Sequence, residues 1–238
     1  MEFKRGRFFV MEGADGSGKA TQTKLLLKKL LKEGYETKIL DFPRYGEDIF
    51  GETVGALLSN EFGNTTEVNP YLASFLYAAD RWKVSPEIRS ELKRGTILIS
   101  NRFTSASMGH QGSKIDDPKK RYEFLEWLRR LEFSKEGFGI PKPDATIYLY
   151  VDPKVSQELI KQKEARMYTG GQTMDGAERD FSHQEKTALN FLEIAKSEPS
   201  WRIIKCMDEN GNLLKPEIIE EKIWEIIKPF LPPKQQPS

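Results

Sequence analysis

Gly13, Gly16 and Gly18 stand close together in the chain, and Lys19 follows the last of them. Glycines let a backbone bend sharply and approach a ligand closely. Successive amide N–H groups can then share one concavity, faced by the positive end of the following helix. Lys19 adds a mobile cation for outer phosphates. The segment nearly fits the phosphate-cradling pattern G-x-x-x-x-G-K-[ST]. It departs at the last place, where Ala20 replaces Ser or Thr. Thr21 comes one residue late, and its side chain would leave the helix about 100° away. The hydroxyl that usually holds Mg²⁺ is missing or its role has moved. A ligand-free glycine turn is the alternative. The flanking apolar run Phe8–Met11 and the leucines 26, 27, 30 and 31 at helical spacing favour phosphate binding. Gly34 is the expected helix stop.

Other side chains suited to anion or base recognition follow in order. Phe42-Pro43-Arg44-Tyr45-Gly46 leaves a strand-like run with an arginine and a tyrosine together. Arg44 either grips a phosphate or sits solvated in a turn. Tyr77 and Arg81 are four apart and share a helix face, which suits stacking a base and holding its edge. A core tyrosine with a rim arginine is the plainer reading. Arg102 falls just past the carboxyl end of a buried strand, where charged residues face the ligand crevice. His110 reads as a structural histidine, with no base partner visible. The polar, glycine-bearing segment 167–180 reads either as a mobile cover that brings in Arg166 or Arg179, or as a plain linker.

The elements that must position these residues alternate. Strand-like runs at 8–12, 37–42, 96–100, 146–151 and 201–205 are separated by helix-like stretches, which predicts a parallel sheet with helices on both faces. Helices are expected around 49–58, from 70 towards 95 with a kink or restart at Pro86, and over 119–131, 182–196 and 216–230. A further helix is expected to follow Pro153 and run to about 166. With 238 residues the chain suits one domain over 1–230, with a cover at about 163–181 and a disordered tail over 231–238.

Composition limits the alternatives. A net charge of +1 gives no argument for nucleic acid or a membrane surface. No stretch is long and apolar enough to span a bilayer, and MEFKRGR precedes too short an apolar run for a signal peptide. Cys206, the single cysteine, is expected to pack as a small hydrophobe in a reducing, cytoplasmic setting. His110 and His183, the only histidines, lie too far apart for metal spacing. There is no N-K-x-D guanine signature.

Several separated motifs, in order, resemble those of the thymidylate kinases, which move a phosphate from ATP to dTMP. They are Glu12 to Lys19, Phe42 to Gly46, Tyr77 to Arg81, Asn101-Arg102-Phe103, the tract through Ser107, His110, Gln111 and Gly112, Pro143-Asp144, and Val151-Asp152-Pro153. The resemblance implies a three-layer P-loop NTPase fold with a five-stranded parallel sheet and a lid. Gly13, Ala14, Asp15, Gly16, Ser17, Gly18, Lys19, Ala20 and Thr21 would cradle ATP, and Asp15 would orient the acceptor or Mg²⁺. Phe42, Pro43, Arg44 and Tyr45 would hold the dTMP side. Tyr77 would stack on thymine, Arg81 would contact the base, and Ser107 would face its edge. His110 and Gln111 would complete the pocket. Arg102 would bridge the acceptor phosphate and the group in transit.

Gly16 occupies a place where some members carry a catalytic arginine, so the lid must supply it, with Arg166 first and Arg179 second. Water or Asp15 would replace the hydroxyl lost at Ala20. Asn101 replaces an acid, His110 an aromatic beside the sugar, and Ala177 a lid tyrosine. The family also implies a homodimer formed through helices. The alternatives are a kinase for another monophosphate such as dUMP or dGMP, and a nucleotide-binding module with little catalysis.

Overall fold

A computed structural model describes residues 5–156 and 181–233. The strands are β1 (Phe8–Gly13), β2 (Thr37–Asp41), β3 (Ile97–Asn101), β4 (Ala145–Tyr150) and β5 (Trp201–Lys205). All pairings are parallel and the order is β2-β3-β1-β4-β5. β1 lies in the middle and is buried along its whole length. Its side chains alternate between faces, as the period-two geometry of a strand requires. Phe9 and Met11 pack with Leu26, Leu30, Ile223 and Ile227, whereas Phe8 and Val10 pack with Phe42, Ile88, Leu92 and Phe103. Burial on both faces explains why the strand reads as a continuous apolar run.

The helices are α1 (Lys19–Lys32), α2 (Ile49–Leu58), α3 (Pro70–Lys83), α4 (Ser85–Arg94), α5 (Thr104–Gly112), α6 (Pro118–Phe133), α7 (Phe181–Ser197) and α8 (Pro216–Ile227). Their starts follow capping chemistry. Asp48 accepts from the amides of Phe50 and Gly51, Asn69 from Tyr71, and Asp117 from Lys119 and Lys120, with Pro70 and Pro118 at the first helical positions. Gly34, at φ 85°, ends α1 as expected. Leu26 and Leu30 enter the core, but Leu31 is exposed. Of the kink or restart expected at Pro86, the structure shows the restart: α3 ends at Lys83, and α4 begins at Ser85 with Pro86 in its first turn.

α5 was not expected from the sequence, and its glycines and serines are poor helix formers. Packing supplies what propensity lacks. Gly109 lies flat against the Phe191 ring, where an added Cβ would come within 2.1 Å of a ring atom. The Asn190 side chain donates to the carbonyls of Met108 and Gly109 at 2.9 and 2.8 Å.

The expected tail does not begin at 231. Leu231 packs against the core, and Pro232 O accepts from the Tyr35 hydroxyl at 3.1 Å. Residues 234–238 lie outside the described residues, as does the segment 157–180 with Arg166, Ala177 and Arg179. Residues 153–156 are helical.

Candidate active site

The site is built where the carboxyl ends of β1, β2 and β3 meet the start of α1. Gly16 and Gly18 take left-handed backbone at φ 79° and 89°, which glycine adopts without steric penalty. Gly13 sits where an added Cβ would meet Ser17 Oγ at 2.5 Å and Leu149 O at 2.8 Å. The loop therefore closes tightly over β4, and Ser17 N bonds to Ala14 O at 3.1 Å. Lys19 Nζ curls back to the carbonyls of Gly13 and Ala14, both at 2.9 Å, and lies 3.7 Å from Asp15. Ala20 and Thr21 are exposed on the first turn of α1.

Arg102 is the hub. It follows β3 with φ 63°, a left-handed conformation in a residue with a large side chain. Such a conformation costs on the order of 1–3 kcal/mol and persists only where its surroundings enforce it. The turn is held by Arg102 N on Met11 O at 3.0 Å and by Ser100 Oγ on Arg102 O at 2.6 Å. The guanidinium donates through Nη2 to Asp15 Oδ1 and through Nη1 to His110 Nε2 at 2.8 Å. Arginine has donors only, so His110 Nε2 accepts this bond. His110 thus has a partner after all, and it is a cation.

One helical turn earlier on α5, Ser107 Oγ accepts from Arg81 Nη2 at 3.1 Å. Arg102, α5 and Arg81 therefore form one continuous wall. Arg81 is not a rim residue: it is 2% exposed, and Glu132 grips it through two bonds at 2.6 and 2.8 Å. Tyr77, a turn before it on α3, is half-buried. Gln111 is buried, and its Oε1 has no hydrogen-bond partner among the described residues.

Arg44 behaves differently. Its guanidinium meets Glu47 at 3.2 Å, Asp48 at 2.7 Å and Asp80 at 3.0 Å, and its amide bonds to Asp80. Three carboxylates thus already surround this one cation. Arg44 pins the β2–α2 turn to α3, and this turn carries the buried Phe42, half-buried Pro43 and exposed Tyr45.

Burial raises the pKa of the Asp15 carboxyl, but Arg102, Lys19 and His110 outweigh it and hold the group well below the ordinary range. At Glu12, fully buried beneath the loop, burial wins over Arg102 and Lys19 and pushes the carboxyl up. Glu12 accepts from Gly13 N at 3.0 Å and Ser105 Oγ at 2.7 Å. Asp41 is exposed at the end of β2, and partial desolvation there still raises its carboxyl, against a hydrogen bond from Asn101 and the pull of Arg102 and Lys19. Asp41 is level with Asn101 across β2 and β3 and accepts from its Nδ2 at 2.8 Å. The acid absent at 101 thus has a carboxylate next door. Asn101 Oδ1 is left without a partner among the described residues.

Sequence reading missed Glu12, Asp41, Asp80 and Glu132 as members of this network. Glu12 and Asp41 were visible as acids at strand ends. Glu132 carried no signal beyond its place on an amphipathic helix.

Comparison with known proteins decides the identity of this arrangement. The family model described as "Thymidylate kinase" matches residues 11–215. The chain belongs to the thymidylate kinase family. It is 30% identical to thymidylate kinase from Exiguobacterium over 221 residues, which is 92% of this chain and 94% of that one. It is 29% identical to human thymidylate kinase over 149 residues, 63% of each chain. The solved structure of thymidylate kinase from Candida albicans superposes with a TM-score of 0.71 at 25% identity, over 95% of this chain and 92% of that one. The fold is the P-loop kinase fold, and the family's activity is ATP-dependent phosphorylation of dTMP to dTDP.

Glu12 and Asp15 give opposite pH signatures. Asp15, depressed in the fold, contributes stability above its unfolded pKa of about 3.8, lost as pH falls through the folded value. Glu12, raised in the fold, holds its proton more tightly when folded. Stability therefore falls as pH rises from its unfolded value of about 4.5 through the folded one. Glu12→Gln is expected to remove that fall from urea midpoints measured between about pH 4.5 and about pH 8, leaving the acid limb in place. A variant that keeps the wild-type slope would contradict the assignment.

Proposed function

We propose that ATP and dTMP meet phosphate to phosphate over the glycine loop, and that the γ-phosphoryl group passes in line between them. The carrying observation is the placement of Arg102, which spans from Asp15 in the loop to His110 on α5 in an otherwise unfavourable backbone conformation. A cation fixed there neutralises charge on the acceptor phosphate and on the group in transit. Phosphoryl transfer needs little else beyond positioning. No protein nucleophile takes part.

In this reading the amides from Gly13 to Thr21 wrap the ATP phosphates. Lys19 leaves its two carbonyl partners for the outer phosphate oxygens, which carry formal charge. Tyr77 stacks on thymine, while Arg81 and Ser107 meet its edge. The unpartnered Gln111 Oε1 accepts from the nucleotide. Tyr45, beside Phe42 and Pro43, holds the acceptor phosphate, and Arg44 positions that turn. Arg166, or else Arg179, closes over the reacting phosphates from the lid segment at about 163–181 of a single domain spanning 1–230.

Mg²⁺ accompanies ATP. Among the described residues no three His, Cys, Asp or Glu side chains converge to cage a metal. Mg²⁺ commonly keeps its waters and takes one or two carboxylates plus substrate phosphates. The oxygens present fit it: Asp15, Asp41 and Asn101 Oδ1, which has no partner among the described residues, would offer it oxygen in place of the hydroxyl missing at Ala20. When bound, the ion neutralises phosphate charge.

The lone, buried Cys206 fits a cytoplasmic setting, and among the described residues no helix is long and apolar enough to cross a membrane. A homodimer formed through helices is part of the proposal. It is supported by the apolar side chains that α3 leaves exposed, Leu72, Phe75 and Trp82, the last two packed against Phe138.

Two measurements check this reading. Arg102→Met is expected to lower kcat by about 10²–10³-fold with the fold kept; near-normal turnover would reject the role of Arg102. Light scattering of the purified enzyme is expected to return twice the chain mass, and a monomer at working concentration would reject the dimer.

A further inference from the structure

Glu132, on the last turn of α6, is fully buried and far from the phosphate loop in sequence. Its Oε1 accepts from Arg81 Nη2 at 2.6 Å, and its Oε2 accepts from Arg81 Nε at 2.8 Å and from Thr104 Oγ1 at 2.6 Å. The fork-to-fork geometry fixes the plane of the guanidinium as well as its place. Arg81 Nη2 spends its other hydrogen on Ser107 Oγ, and Nη1 reaches Phe103 O at 3.4 Å. A guanidinium has five N–H groups, so among the described residues these contacts leave one Nη1 hydrogen uncommitted. A buried ion pair is weak evidence for stability, because apolar replacements of similar volume often do as well. A fully buried pair beside the nucleotide wall therefore calls for another reason.

We propose that Glu132 is the positioning residue for base recognition: it holds the Arg81 guanidinium in one orientation and so sets which pyrimidine edge the site accepts. The proposal rests on the reading that Arg81 contacts the base. A guanidinium only donates, so a fixed one complements the 4-oxo group of thymine and opposes the 4-amino group of cytosine. A site built to bond one polar edge rejects its mismatch strongly, because the mismatch leaves buried groups unpaired. Loosening Arg81 weakens both effects without touching the phosphates.

The test is steady-state kinetics of Glu132→Gln with dTMP and dCMP. The KM for dTMP should rise about tenfold or more, and the dTMP-over-dCMP ratio of kcat/KM should fall by a similar factor. The kcat at saturating dTMP and the KM for ATP should stay within about threefold. Glu132→Asp should recover part of the discrimination. Thr104→Val, which removes only the hydroxyl donor to Glu132, should shift the KM for dTMP in the same direction by a smaller factor.

A folded Glu132→Gln with unchanged dTMP KM and unchanged preference overturns the proposal. So does a parallel loss in kcat and ATP binding, which marks a purely structural role. If Glu132→Gln does not fold, Thr104→Val decides, and an unmoved KM for dTMP overturns the proposal. Arg81→Lys separates the two layers. If it too leaves dTMP KM and preference unmoved, the base contact of Arg81 is wrong. If it moves them while Glu132→Gln does not, Glu132 alone is wrong.

Discussion

The site depends on one residue held against its conformational preference. Arg102 leaves β3 in left-handed backbone, and from there its guanidinium reaches both the phosphate loop and α5. The strain is local and its supports are local too. They are Met11 O from the neighbouring strand and Ser100 Oγ from the residue two before it. β1 is the middle strand and carries the loop at its end, so the sheet itself sets the distance between loop and arginine. The buried apolar packing on both faces of β1 thus fixes the geometry of charge at its tip.

Charge in the site is balanced internally. Asp15 faces Arg102 and Lys19, Asp41 feels both cations, and Glu12 sits beneath them. Lys19 and Arg102 are therefore paired within the protein, and in the proposed reading incoming phosphates would exchange with protein oxygens already arranged for cations. Such an exchange keeps reorganisation small, which is where preorganised electrostatics gains its effect. Arg44 marks the contrast: Glu47, Asp48 and Asp80 surround it and tie the β2–α2 turn to α3.

Much of this was legible in the sequence. The five strands and the glycine loop stood out because buried parallel strands and phosphate turns leave strong local patterns. Arg102 was legible from its place past a strand end. α5 was not, since the residues that make it a helix, Phe191 and Asn190, lie on α7 and act across the fold. Glu132 was hidden for the same reason: a charged residue on an amphipathic helix reads as solvated until its partner is seen. The rim position read for Arg81 failed because a guanidinium can be buried when a carboxylate meets it fork to fork. The charge taken away at Asn101 was visible, but the cross-strand register that brings Asp41 beside it was not.

The most direct test is a crystal structure with dTMP, Mg²⁺ and a non-hydrolysable ATP analogue bound together. The account expects the two phosphate chains to meet end to end above Gly13–Lys19, with the Arg102 guanidinium bonded to the acceptor phosphate and thymine against Tyr77. A complex in which Arg102 turns to solvent while the nucleotide lies away from Tyr77 and Ser107 would contradict it.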